Sequence, residues 1–245
     1  MKKYIPFLLF SIFIVSCSNP EPSKKDQSAK KEVEIEEAHA FASATEQVHQ
    51  KELFSTHDSL VFDLQLYFGG NERLIGELAL ATNSTGGKIT YENGNFISYG
   101  SDGISHSDEI KPESARFSAY TWSYFALMPF KLTDPGTNWE TIALDFHNGT
   151  VANKLTFGEN IGDAPDDWYI LTTNSEGLLH EAAYIVTARS TVEEAESDPH
   201  AIRYENYKSI NGIPVAHDWT FFAWNEQVGS SDTLGYAKLS NIRFK

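Results

Sequence analysis

The residue whose position most strongly dictates covalent chemistry is Cys17. It is the only cysteine of the chain. It closes the run Ile14-Val15-Ser16-Cys17, after Met1-Lys2-Lys3 and a mostly apolar stretch. Two lysines, an apolar core and a small residue before a cleavage point are the parts of an export signal. That core is shorter than the roughly 20 residues a membrane span needs. With no second cysteine, no disulfide forms within the chain even in an oxidising compartment. The thiol is therefore available for modification rather than pairing.

Other reactive groups are present without a constellation. There is no Gly-x-Ser-x-Gly elbow, no His-Glu-x-x-His and no phosphate-cradling glycine loop. The histidines, His39, His49, His57, His106, His147, His180, His200 and His217, show no metal-ligand spacing. His180 and His217 both fall in strand-like segments and could meet across a sheet. Asp163, Asp166 and Asp167 beside Glu159 offer the oxygen ligands calcium takes, but Pro165 among them reads as a solvated turn before a strand. Glu193, Glu194, Glu196 and Asp198 read as a plain loop. The expectation is a non-enzyme with no cofactor and no metal. What the chain has in quantity is aromatic surface: 16 Phe, 11 Tyr and 5 Trp, 13% of all residues. That amount suits either a large core or a cavity.

Charge narrows the partners. The chain carries −15, and loss of Lys2 and Lys3 with a leader would take it to −17. This opposes nucleic acid and adsorption to anionic lipid. Membrane attachment then rests on acyl chains, of which more than one gives stable anchoring.

The elements that must position the aromatics follow from periodicity. Residues 1–16 read as the signal peptide. Residues 17–35 read as the modified cysteine and a flexible tether, with Pro20, Pro22 and alternating Lys and Glu. Residues 36–245 read as one domain. A helix is expected within 36–54, where Ser43-Ala-Thr-Glu46 resembles a capping box although the run could start near Glu36. From Leu60 the period changes to 2. Leu60, Phe62, Leu64, Leu66 and Phe68 alternate with polar or outward residues, and Leu74, Leu78 and Leu80 form the return strand. Asn93-Gly94, Asn148-Gly149 and Asn211-Gly212 punctuate later hairpins. About ten or eleven strands result, joined by turns too short for parallel crossovers. A sheet that wide must curl. The long interruption from Pro112 to Phe130 is helical, with Phe117, Tyr120, Tyr124 and Met128 on one stripe and Trp122 and Phe125 widening it. Pro129 ends it. The two helices are expected to lie across the concave face.

Two resemblances enter here. The Leu/Val/Ile-x-small-Cys box at Cys17 resembles that of bacterial lipoproteins, which implies diacylation of its sulfur before cleavage. The order of anchor, helix, strands, helical insertion and further strands is similar to the LolA/LolB-like superfamily of lipoprotein carriers and localisation factors. It also resembles a lipoprotein group common in Bacteroidota. Local patterns carrying the match are Met128-Pro-Phe-Lys-Leu with Asp134-Pro-Gly, then Asp167-Trp-Tyr-Ile-Leu with Leu178-Leu-His-Glu-Ala-Ala-Tyr. Tyr204-Glu-Asn-Tyr followed by Asn211-Gly-Ile-Pro and Trp219-Thr-Phe-Phe is the third. The resemblance implies a mainly β fold with a helical lid: a single curled antiparallel sheet forming an unclosed barrel, helices across its concave face. A tethered member cannot ferry cargo by free diffusion, so a receptor, scavenger or holder is implied.

The expected function is an envelope lipoprotein, lipidated at Cys17, whose half-barrel binds a lipid, acyl chain or other apolar ligand without catalysis. Expected ligand-binding residues are Phe117, Trp122, Phe125 and Met128 from the lid, and Leu64, Leu78, Trp168, Trp219 and Phe221 from the sheet. The alternative is an envelope interaction module with a filled core, binding a protein or glycan. Ser18 after the cysteine favours the outer membrane, and the scarcity of acids in Asn19-Pro-Glu-Pro-Ser favours its periplasmic side.

Overall fold

The computed structural model of the chain describes residues 24–144 and 150–245. The leader, Cys17 and the turn expected at Asn148-Gly149 lie outside the described residues. Helix α1 (Lys24–Val48) is followed by the single turn α2 (Lys51–Phe54). Strands β1 (Ser59–Phe68), β2 (Asn71–Ala81), β3 (Gly87–Tyr91), β4 (Phe96–Gly100) and β5 (Gly103–His106) come next. Helix α3 (Pro112–Leu127) runs into a 3₁₀ turn, Met128–Phe130, that contains Pro129. Strands β6 (Thr137–Leu144), β7 (Thr150–Phe157), β8 (Tyr169–Thr173) and β9 (Leu179–Tyr184) follow. After the short helix α4 (Val192–Glu196) come β10 (His200–Ile210), β11 (Ile213–Asn225) and β12 (Gly229–Phe244).

All the strands belong to one antiparallel sheet of 12, ordered β5-β4-β3-β2-β1-β12-β11-β10-β9-β8-β7-β6. Strands β5 and β6 are its two edges and do not pair, so the barrel is unclosed as expected. The extra strand beyond the expected number is β5, whose four residues are too few for alternation to register. The sheet's centre joins the first strand to the last: Leu64 faces Leu239 and Leu66 faces Ala237.

Period-2 alternation separates two apolar layers. On the covered face Leu171, Ala182, Ile202 and Phe221 stand in one cross-strand row, each without solvent exposure. The adjacent row, Ile170, Ala183, Ala201 and Phe222, points the opposite way into a smaller cluster with Trp168 and Trp224.

Helix α1 begins at Lys24, twelve residues before the expected boundary at 36, so residues 24–35 are helical rather than a coil. Their Lys, Glu, Gln and Ala are strong helix formers, and the low apolar content that suggested a tether does not oppose a solvated helix. Ser43 is mid-helix, not a cap; Thr45 Oγ1 donates back to the Phe41 carbonyl at 2.9 Å. The helix stops because Gln50 adopts a left-handed backbone, φ 61°. Ala38 and Ala42 are fully buried, Phe41 meets Trp139 at 6.0 Å between ring centroids, and Thr141 Oγ1 donates to the Glu34 carbonyl at 2.9 Å. Helix α1 thus covers the edge strand β6. The acidic run at 193–198 contains helix α4, opened by a reciprocal capping box between Thr191 and Glu194.

Turn chemistry divides the two asparagine–glycine pairs. Asn211 and Gly212 both have positive φ, 53° and 88°, the tight two-residue hairpin that joins Ile210 to Ile213. At Asn93-Gly94 only the glycine does, and Gly94 N–H donates to Tyr91 O in a wider turn.

Gly235 sits inside β12 where a Cβ would strike the Tyr67 carbonyl and come 2.9 Å from Phe68 Cα. Backbone on the neighbouring strand cannot rotate away. Gly235→Ala is expected to cost about 1–3 kcal/mol, read by urea denaturation; an unchanged midpoint would mean the strands separate freely there.

Candidate functional site

Helix α3 carries an aromatic on almost every face because it packs against the sheet on one side and borders a hollow on the other. Ala115 and Ala119 are fully buried and Trp122 nearly so, placing that stripe against the sheet. Phe117, Tyr120 and Tyr124 are half-buried and look into a partly open cavity of about 440 Å³. The opposite wall comes from Tyr99 on β4, Phe157 at the end of β7, Tyr169 on β8 and Ile161 in the loop between the last two.

The wall is a connected aromatic surface. Tyr124 lies 5.1 Å from Tyr169 and 6.1 Å from Phe157, ring centroid to centroid, while Tyr99 and Tyr120 meet at 5.4 Å. The Tyr124 hydroxyl is sealed from solvent and has no hydrogen-bond partner. Burial pushes the phenols of Tyr124 and Tyr169 far above the ordinary tyrosine value, so both stay neutral at any physiological pH. Asp167, also lining the cavity, accepts the Thr187 backbone N–H and hydroxyl, each at 2.7 Å. Burial raises its carboxyl pKa, and the Thr187 bonds offset part of that.

Charged groups at the rim pair with one another. Asp134 takes Lys131 and Lys51, at 2.5 and 3.2 Å, and Asp163 takes Arg116 at 2.8 Å. Lys51 also meets the buried Glu46 at 2.7 Å. Glu46 in turn accepts the Thr133 backbone N–H at 2.9 Å, which ties α1 to the segment that follows α3.

Of the expected ligand-binding residues, Phe117 and Phe125 line this cavity. Trp122 lies one layer behind it, packed between Phe117 at 5.8 Å and Phe221 at 6.2 Å. Leu64, Leu78, Met128 and Phe221 are fully buried core. Trp219 borders only a void of about 20 Å³, room for little more than one water. Trp168 is on the other face of the sheet, 6.0 Å from Trp224, with Lys154 over its ring. Its neighbour Tyr169 is the one that points inward, because adjacent strand residues face opposite ways. Tyr99, Phe157 and Ile161 are lining residues that no sequence signal singled out, whereas Tyr120 and Tyr124 belonged to the visible helical stripe.

Among the described residues, neither the His180–His217 pair nor the Asp163, Asp166, Asp167 and Glu159 cluster weighed from the sequence is gathered into a site. His180 on β9 and His217 on β11 are separated by β10, roughly 10 Å at the usual strand spacing. Among the described residues no three His, Cys, Asp or Glu side chains gather to hold a metal ion.

No protein-family model matches the chain, and no curated protein does. Among solved structures, a LolA superfamily protein from Nitrosomonas europaea superposes with a TM-score of 0.52 at 10% identity, covering 85% of this chain and 93% of that one. A DUF1329 family protein from Desulfovibrio piger covers 86% of this chain and 93% of its own, with a TM-score of 0.45 at 9% identity. The first likeness, at that identity, is one of fold: this chain has a LolA-like half-barrel.

Proposed function

We propose that this protein is a lipoprotein of the cell envelope, anchored through acylated Cys17, whose half-barrel holds a lipid or acyl chain without chemical conversion. The observation that carries the reading is the 440 Å³ aromatic-walled cavity between α3 and the sheet. Burying a methylene gains about 0.8 kcal/mol, so a long acyl chain yields on the order of 10 kcal/mol gross before ordering costs. The LolA-like fold of the Nitrosomonas protein supports the same reading. Ser18 after Cys17 favours the outer membrane, and the single acid in Asn19-Pro-Glu-Pro-Ser favours its periplasmic side.

The test is native mass spectrometry of residues 18–245, exported through a cleavable signal and purified without detergent. Bound lipid or fatty acid is expected. Ala164 lines the cavity, and Ala164→Trp fills much of it from the wall without disturbing the core. That variant is expected to keep its melting temperature within a few degrees and lose the bound mass. Wild-type protein that is ligand-free and refuses added fatty acid would make this an interaction module with a filled core instead.

A further inference from the structure

Charge at the mouth defines the ligand more narrowly, on the reading that the cavity is a ligand site. The cavity is partly open, of about 440 Å³, and aromatic-walled, so it suits an apolar chain whose head stays at the mouth.

The rim then decides the head group. Each acid lining the cavity is already engaged: Asp134 with Lys131 and Lys51, Asp163 with Arg116, and Asp167 with Thr187. Arg189 is different. Its guanidinium lies 4.1 Å over the Phe117 ring, and Phe117 and the adjacent Ala188 both line the cavity. Among the described residues its one hydrogen bond goes from a terminal nitrogen to the Glu113 carbonyl at 3.1 Å. No carboxylate pairs with it among the described residues, and the side chain is exposed. A guanidinium held over an aromatic ring and bonded through one terminal nitrogen keeps further N–H donors for an incoming group. That fork matches the two oxygens of a carboxylate or phosphate.

We propose that the cavity takes an amphiphile with an anionic head, and that Arg189 receives that head where the chain emerges beside Phe117. Arg189 is then a specificity-determining residue: the chain supplies most of the affinity, and the guanidinium selects carboxylate or phosphate over an uncharged head.

The test titrates residues 18–245, which retain every described residue, with hexadecanoate, hexadecyl phosphate, 1-monopalmitoylglycerol and dipalmitoyl phosphatidylglycerol by calorimetry. Both single-chain anions are expected to bind one per protein, about tenfold or more tighter than the uncharged monoacylglycerol, in the range for a hydrogen bond to a charged group. Arg189→Gln is expected to abolish that preference at an unchanged melting temperature, and Arg189→Lys to keep part of it. Equal affinity for charged and uncharged heads, or a preference that survives Arg189→Gln, would overturn the role of Arg189 while leaving the cavity reading intact. If no probe binds, the cavity reading itself fails and this inference with it.

Discussion

Replacing Phe221 with alanine is expected to lower the free energy of unfolding by about 3–5 kcal/mol, the usual cost of deleting a buried aromatic ring. Phe221 has no solvent exposure and lies under α3, 5.6 Å from Phe68 and 6.2 Å from both Trp122 and Phe125. Removing it leaves a void bounded by the sheet backbone below and by a helix fixed through other contacts above, so collapse is limited. The adjacent Phe222 supplies the control. It faces the other side of the sheet, half-buried beneath the Arg203 guanidinium at 4.4 Å, and Phe222→Ala is expected to cost under about 2 kcal/mol. Guanidinium chloride denaturation of both variants checks this. Equal losses would contradict the assignment of Phe221 to the main core.

The second large effect is a loss of stability on mild acidification that traces to His49. This ring has no solvent exposure and sits edge-on to Phe130 and Tyr207. Its Nε2 accepts the Leu179 backbone N–H at 3.0 Å, so the neutral ring carries its proton on Nδ1. Burial lowers its pKa from 6.5 to about 4, and the Pro214 carbonyl offsets only part of that. The unfolded chain therefore takes up this proton near pH 6.5 while the folded protein does not until near pH 4. The stabilisation is complete above 6.5 and is lost as pH falls through that window, on the order of 3 kcal/mol in all. His200 is displaced in the same direction, chiefly by burial, and the raised carboxyl of Asp167 acts in the opposite sense. The informative quantity is thus the difference between wild type and His49→Gln, measured by urea denaturation at pH 7.5, 5.5 and 4.5. The variant is expected to be less stable at pH 7.5 and to lose less on acidification; parallel curves would remove His49 from the account.

Much of the architecture was legible because it is local. The alternation from Leu60 to Phe68, the left-handed Asn211-Gly212 pair and Pro129 past the last turn of α3 act within a few residues. They place strands, a hairpin and a helix end where the structure has them. The helical stripe of Phe117, Tyr120 and Tyr124 was visible for the same reason. Where local signals weaken, the reading faltered. Strand β5 is too short to show a period, and the Lys/Glu-rich stretch from 24 to 35 reads equally as coil or as solvated helix until β6 offers α1 a surface.

The candidate site was only half legible. Parity along a strand is readable, but which parity faces inward depends on partners far away in sequence. Trp168 and Tyr169 are equally good aromatic candidates at the start of β8, and the pairing of Tyr169 with Tyr184 and Leu155 settles that Tyr169 faces the hollow. Likewise Trp219 and Phe221 have the composition of lining residues, yet they are covered by α3, whereas Tyr99 and Phe157, unremarkable in sequence, border the hollow.

By itself the sequence determined the strand grammar, the turn positions, the aromatic helix between two groups of strands and the lone Cys17 in its box, because each depends on side chains and backbone within one or two turns. Tertiary structure alone decided that β12 returns to join β1 at the centre of an open sheet. It also decided which aromatic faces pack solid and which enclose space. Those outcomes depend on how curvature and the seating of α3 divide a volume, which is a property of elements far apart in the chain and is encoded in no single segment.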